Sequence, residues 1–60
     1  MNRATLTQEL GDISRHVDAT LSTVESGEYA LEDLIYALDK IQDLLIHATG
    51  TAHKLLRVGE

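Results

Sequence analysis

Hydrophobic residues in the first half of the chain recur at steps of three and four, the spacing that places one apolar stripe on an α-helix. The series is Leu6, Leu10, Ile13, Val17, Leu21 and Val24. Thr5 and Gln8 have the spacing of a capping box, which favours a start near Thr5. Gly27 suits the left-handed conformation that ends a helix. The pattern predicts a first helix over about residues 5–25, in which Gly11 is expected to allow close approach of another helix.

The second half of the chain follows a heptad rhythm of apolar positions a and d. These positions are Leu31, Leu34, Leu38, Ile41, Leu45, Ala48, Ala52 and Leu55. The rhythm keeps its phase across Gly50, where a loop would have no reason to preserve it. Lys54 and Arg57 would then complement the dipole in the last turn. We therefore expect a second helix over about residues 28–58 that is continuous through Gly50, although glycine lowers the local helix propensity.

A tight bend at Ser26-Gly27 would make the two helices antiparallel neighbours. Either residue of that pair is a candidate N-cap for the second helix. This bend places Arg3 level with Thr51 and leaves the end of the second helix overhanging. The chain is expected to be a single all-α domain over residues 1–60, because 60 residues suffice for one domain at most.

The apolar face of the second helix is wider than one partner helix can cover. Ile35 and Leu56 extend it at e positions, and Ala30, Ala37 and Leu44 extend it at g positions. Such a face normally contacts two or more helices, and a chain this short without cysteine needs a partner to complete its core. We expect a homodimeric four-helix bundle or a higher helical oligomer, with a different protein as the alternative occupant. The predicted interface comprises Leu31, Leu34, Ile35, Leu38, Ile41 and Leu45.

Composition and the lack of catalytic motifs indicate a non-catalytic role. The net charge of −5 disfavours binding to nucleic acid, which needs clustered Lys and Arg. No apolar run approaches a membrane span and no signal-peptide pattern is present, so a cytoplasmic location is expected. The chain has neither a cysteine nucleophile nor a Gly-x-Ser-x-Gly elbow nor a phosphate-binding glycine loop. We therefore expect no enzyme activity and no cofactor.

Two aspartate–histidine pairs are candidate metal ligands, because residues four apart share a helix face. They are Asp12 with His16 and Asp43 with His47, and Asp39 extends the second row. The second row falls at outward heptad positions, whereas metal sites in helical bundles project inward. We expect weakly interacting side chains on a solvated face and no metal site.

Tyr29 and Tyr36, seven residues apart at f positions, point to a partner-binding surface. Residues 9–43 hold nine acids and two bases. Tyrosine is favoured as an interface anchor, and an acidic rim steers a basic partner. The sequence therefore predicts a protein that binds, blocks or scaffolds another protein as a regulator, inhibitor or adaptor. The predicted partner-binding residues are Tyr29, Glu32, Asp33, Tyr36 and Asp39.

The alternative is a site for a small anionic ligand such as a nucleotide at the basic C-terminal end. Arg and Lys suit phosphate, and threonine hydroxyls add hydrogen bonds. The predicted bend brings the N-terminal arginine to the same end. The residues of this alternative site are Arg3, Thr49, Thr51, His53, Lys54 and Arg57.

Overall fold

The computed structural model describes residues 3–59, which form two helices packed as an antiparallel hairpin. The first helix, α1, spans Arg3–Ser26, and the second, α2, spans Leu31–Arg57. The hairpin is elongated, with extents of 46 × 16 × 11 Å. The all-α hairpin expected from the sequence is confirmed.

The connection between the helices begins with a glycine-terminated end of α1. Gly27 has a φ of 74°, and its N–H donates to the Val24 carbonyl at 3.1 Å. The Ser26 hydroxyl donates to the Thr23 carbonyl at 2.6 Å and accepts from the Glu28 N–H at 3.2 Å. The predicted role of Gly27 as the residue that ends α1 is confirmed.

The start of α2 differs from the prediction. Its N-cap is Ala30, whose backbone is extended and whose side chain forms no capping hydrogen bond. Glu32 and Asp33 lie in the first turn, where the helix dipole favours negative charge. The expectation that Ser26-Gly27 caps α2 is wrong, because the hydrogen bonds of that pair close α1 instead.

The start of α1 also lies before the predicted residue. The helix already includes Arg3, whose carbonyl accepts a hydrogen bond from the Thr7 hydroxyl at 3.0 Å. Thr5 is therefore inside the helix and is not its N-cap. A methyl group at Gly11 would meet only the Arg15 side chain, at 3.7 Å. The close helix approach expected at Gly11 is not made within the hairpin.

Helix α2 is continuous through Gly50, as its unbroken heptad rhythm predicts. It ends at Arg57, where the Val58 N–H donates to the Lys54 carbonyl at 3.2 Å. Gly59 follows with a φ of 77°. Because the helix does not break, the terminal segment packs along α1 as part of α2.

The register of the two helices differs from the predicted one. The Thr51 hydroxyl donates to Glu9 Oε1 at 2.6 Å, so Thr51 lies level with Glu9 and not with Arg3. The chain folds back at a later residue than predicted, because the connection spans residues 27–30 and is not a two-residue bend. The predicted overhang is absent, since Leu55 near the end of α2 is only 6% exposed.

The contact between the helices follows the d and g positions of α2 and not the full a/d stripe. Ile13 of α1 is buried against this seam. Small side chains at Ala37 and Ala48 allow the helices to approach there. The seam residues of α2, all buried or half-buried, are Leu34, Ala37, Ile41, Leu44, Ala48, Thr51 and Leu55.

We predict that Gly50→Ala stabilises the hairpin by a few tenths to about 1 kcal/mol, because alanine favours the helix and restricts the unfolded chain. A methyl group at Gly50 meets nothing within 4 Å. Urea unfolding followed by circular dichroism measures the change. Gly27→Ala is the matched control and should destabilise, since Gly27 has a positive φ. A loss of stability in Gly50→Ala would contradict a continuous α2.

Candidate functional site

A large apolar surface of the hairpin is not covered by any other part of residues 3–59. Nine large hydrophobic side chains on it are between 39% and 75% exposed. On each helix they lie next to the seam, at steps of three, four, seven or, between Leu45 and Leu56, eleven residues. We call this surface the leucine face. It comprises Leu10, Val17, Leu21 and Val24 of α1 and Leu31, Ile35, Leu38, Leu45 and Leu56 of α2.

These residues share one side of the hairpin. On each helix they are displaced from the seam in the same rotational sense, and in an antiparallel pair this brings both sets to one face. The opposite side carries a groove of about 420 Å³. The groove is lined by His16, Ala19, Thr20, Thr23, Asp33, Leu34, Tyr36, Ala37 and Lys40.

The structure divides the six residues predicted for an oligomer interface. Leu34 and Ile41 are half-buried in the seam with α1. The other four are exposed on the leucine face, namely Leu31, Ile35, Leu38 and Leu45. The predicted interface does not include the α1 residues of the leucine face. Periodicity shows that α1 has one apolar stripe, but it does not specify which side of α2 this stripe contacts. It therefore does not predict which leucines and valines of α1 stay exposed.

The predicted partner-binding residues lie along and just before α2. Tyr36 is 77% exposed, and Glu32 and Asp39 flank it at helical spacing. Asp33 lies beside Tyr36 in the lining of the groove. We call Glu32, Asp33, Tyr36 and Asp39 the acidic ridge. Tyr29 is outside it, because this residue precedes α2 in the connection and is not at a helical f position.

The six residues of the alternative anion site do not converge. Thr51 is buried in the seam, where its hydroxyl donates to a carboxylate of α1 and lies 3.2 Å from the His47 carbonyl. Lys54 and Arg57 line a hollow with Leu55 and Val58, without any of the predicted threonines. Arg3, Thr49 and His53 are exposed elsewhere at this end of the hairpin. Thr51 and Lys54 share a second hollow, but Glu9 and Asp12 line it as well, and their carboxylates disfavour a bound phosphate.

The aspartate–histidine pairs form local contacts on the surface. His47 Nε2 lies 3.8 Å from Asp43 Oδ2. Asp12 forms an ion pair with Arg15, while His16 Nδ1 lies 2.8 Å from the Asp12 carbonyl oxygen. Asp39 is exposed. Within residues 3–59, no group of three or more His, Asp or Glu side chains could hold a metal ion.

The polar link between the helices is a feature that sequence reasoning missed. Glu9 Oε1 accepts from Thr51, and Glu9 Oε2 is buried without a hydrogen-bond partner. The hydroxyl of Thr51 therefore provides the cross-helix contact that holds this carboxylate in the seam. Only the correct register reveals it, because the predicted register placed Arg3 opposite Thr51.

Comparison with known proteins gives no match to a family model, to a curated protein or to a solved structure. Neither helix of the described segment has an apolar stretch that could cross a membrane.

We predict that Thr51→Val destabilises the hairpin by about 1 kcal/mol, because it leaves the half-buried Glu9 carboxylate without this donor. The matched control is Thr7→Val, which removes an exposed bond within α1 and should change stability by less than about 0.5 kcal/mol. Urea unfolding of both variants gives the comparison. Equal effects would show that the Glu9–Thr51 bond does not stabilise the seam.

Proposed function

We propose that this protein is a small non-catalytic interaction module that self-assembles through its leucine face and presents the acidic ridge to another protein. The exposed leucine face is the observation that carries the proposal. Only three apolar side chains in the described segment are buried, namely Ile13, Ala48 and Leu55. A core of that size is too small to hold a solitary hairpin, so a second copy completes it.

The surface area of the chain supports the same step. The hairpin has an accessible surface of 4672 Å². A compact protein of 6.6 kDa would expose about 3,900 Å². The elongated shape of the hairpin contributes to this excess of about 800 Å², which is comparable with the area that one partner contributes to a stable interface of standard size. Packing two leucine faces together would form a four-helix bundle and bury apolar surface of this order.

The acidic ridge would remain outside such a bundle. Tyr36 lines the groove on the side of the hairpin opposite the leucine face. A two-fold assembly would therefore present two copies of the ridge. Exposed tyrosine within acidic surroundings suits an interface with a basic protein, where tyrosine anchors the contact and charge speeds the encounter. The bundle would act as a regulator, inhibitor or adaptor by occupying or bridging such partners.

We predict a mass of at least twice 6.6 kDa by light scattering coupled to size exclusion at low micromolar concentration. Leu38→Asp should abolish the assembly and much of the helicity, because it places an unpaired charge in the buried interface. Ser22→Asp adds the same charge at an exposed position of α1 outside the leucine face and should preserve both. A stable, fully helical monomer of the native sequence would refute self-assembly.

We predict that Tyr36→Ala leaves the melting temperature nearly unchanged, since the side chain is 77% exposed, while weakening partner binding by more than 1 kcal/mol. Quantitative capture from a lysate of the source cells, with native and variant baits in parallel, measures the second effect. Ser22→Ala is the control and should capture as the native sequence does.

Two results would count against this role for Tyr36. A large fall in the melting temperature would show that Tyr36 belongs to the packed structure. Equal capture by native and variant baits would remove Tyr36 from the partner surface. A rise in melting temperature with a nucleotide, abolished by Lys54→Ala, would instead favour the small-ligand alternative.

A further inference from the structure

Charge is distributed very unevenly along the hairpin. The half nearest the connection, residues 17–43, contains seven acids and one base, so it carries −6. Its acids are Asp18, Glu25, Glu28, Glu32, Asp33, Asp39 and Asp43, and its base is Lys40. The remaining sequence, residues 1–16 and 44–60, contains four bases and three acids, so it carries +1. The bases are Arg3, Arg15, Lys54 and Arg57, and the acids are Glu9, Asp12 and Glu60.

The two halves act as separate electrostatic surfaces. The hairpin is 46 Å long, whereas charges are screened over about 8 Å at physiological ionic strength. A second molecule lying along the hairpin therefore interacts with each half separately. The average charge of the whole chain does not describe that interaction.

The leucine face extends through both halves. Leu21 and Leu31 lie in the acidic half, and Leu10, Leu45 and Leu56 lie in the basic half. Hydrophobic burial is non-directional, so two leucine faces could pack with their connections at the same end or at opposite ends. Both arrangements have two-fold symmetry and both close. The charges that flank the leucine face therefore determine which of the two arrangements is favoured.

We propose that two copies pair leucine face to leucine face with their connections at opposite ends. This inference rests on the self-assembly proposed above. Connections at the same end would place two halves of −6 side by side, which is repulsive. Connections at opposite ends place each half of −6 along a half of +1. Complementary charge fixes orientation in this way, and like-charge contact disfavours the alternative.

Charged residues at the borders of the leucine face lie where they would favour one orientation of the two copies over the other. Glu25 follows Val24 at the end of α1 near the connection, and Arg57 follows Leu56 at the other end of the hairpin. With the connections at opposite ends, Glu25 of one copy lies at the end that carries Arg57 of the second copy. With the connections together, Glu25 approaches its own equivalent.

Distance measurements between nitroxide labels test the arrangement. The chain has no cysteine, so one introduced cysteine gives a single label per copy. Glu28→Cys places the label in the connection, and the −6 half keeps its negative sign. Ser14→Cys is the matched control at an exposed position near the middle of α1. Pulsed dipolar spectroscopy on each labelled protein, in the same buffer as the mass measurement, gives the distance between the two copies.

We expect a long distance at position 28, approaching the 46 Å length of the hairpin, and a short distance at position 14. Short distances at both positions, comparable with the 16 Å width, would overturn the orientation but leave self-assembly standing. No dipolar coupling at either position, together with a mass of 6.6 kDa, would overturn self-assembly itself and the orientation with it.

Discussion

Two helices cover only one side of each other, and in this hairpin that side is the d/g seam of α2. Ala37 and Ala48 let α1 approach closely there, and Thr51 adds a hydrogen bond to Glu9 across the contact. The larger residues of the a and e positions are left on the outside. Their exposure creates the leucine face, on which the proposed assembly depends.

The two sides of the hairpin therefore differ in chemistry. In the proposed assembly, the leucine face packs against a second copy. The opposite side carries the exposed Tyr36 beside Asp33, and it is the proposed surface for a different protein. In the proposed pairing, the charge difference between the ends of the hairpin specifies an orientation that hydrophobic contact alone does not.

Local features of the fold could be predicted from the sequence. Both helices, the end of α1 at Gly27 and the passage of α2 through Gly50 follow from periodicity and glycine placement. The register could not be predicted, because periodicity does not determine the length of the connection. The choice of the d/g seam was equally hidden within a face that is apolar from g to e. The Glu9–Thr51 bond depends on both, so sequence reasoning placed Thr51 in a ligand site.

We propose that burial of the leucine face by a second copy stabilises the fold. The melting temperature, followed by circular dichroism over a hundredfold range of protein concentration, tests this stabilisation. Assembly stabilises a fold by mass action, so we expect a melting temperature that rises steadily with concentration. We also expect loss of helix on dilution together with loss of the assembled mass. A melting temperature independent of concentration, with a fully helical species of 6.6 kDa, would contradict stabilisation by a second copy.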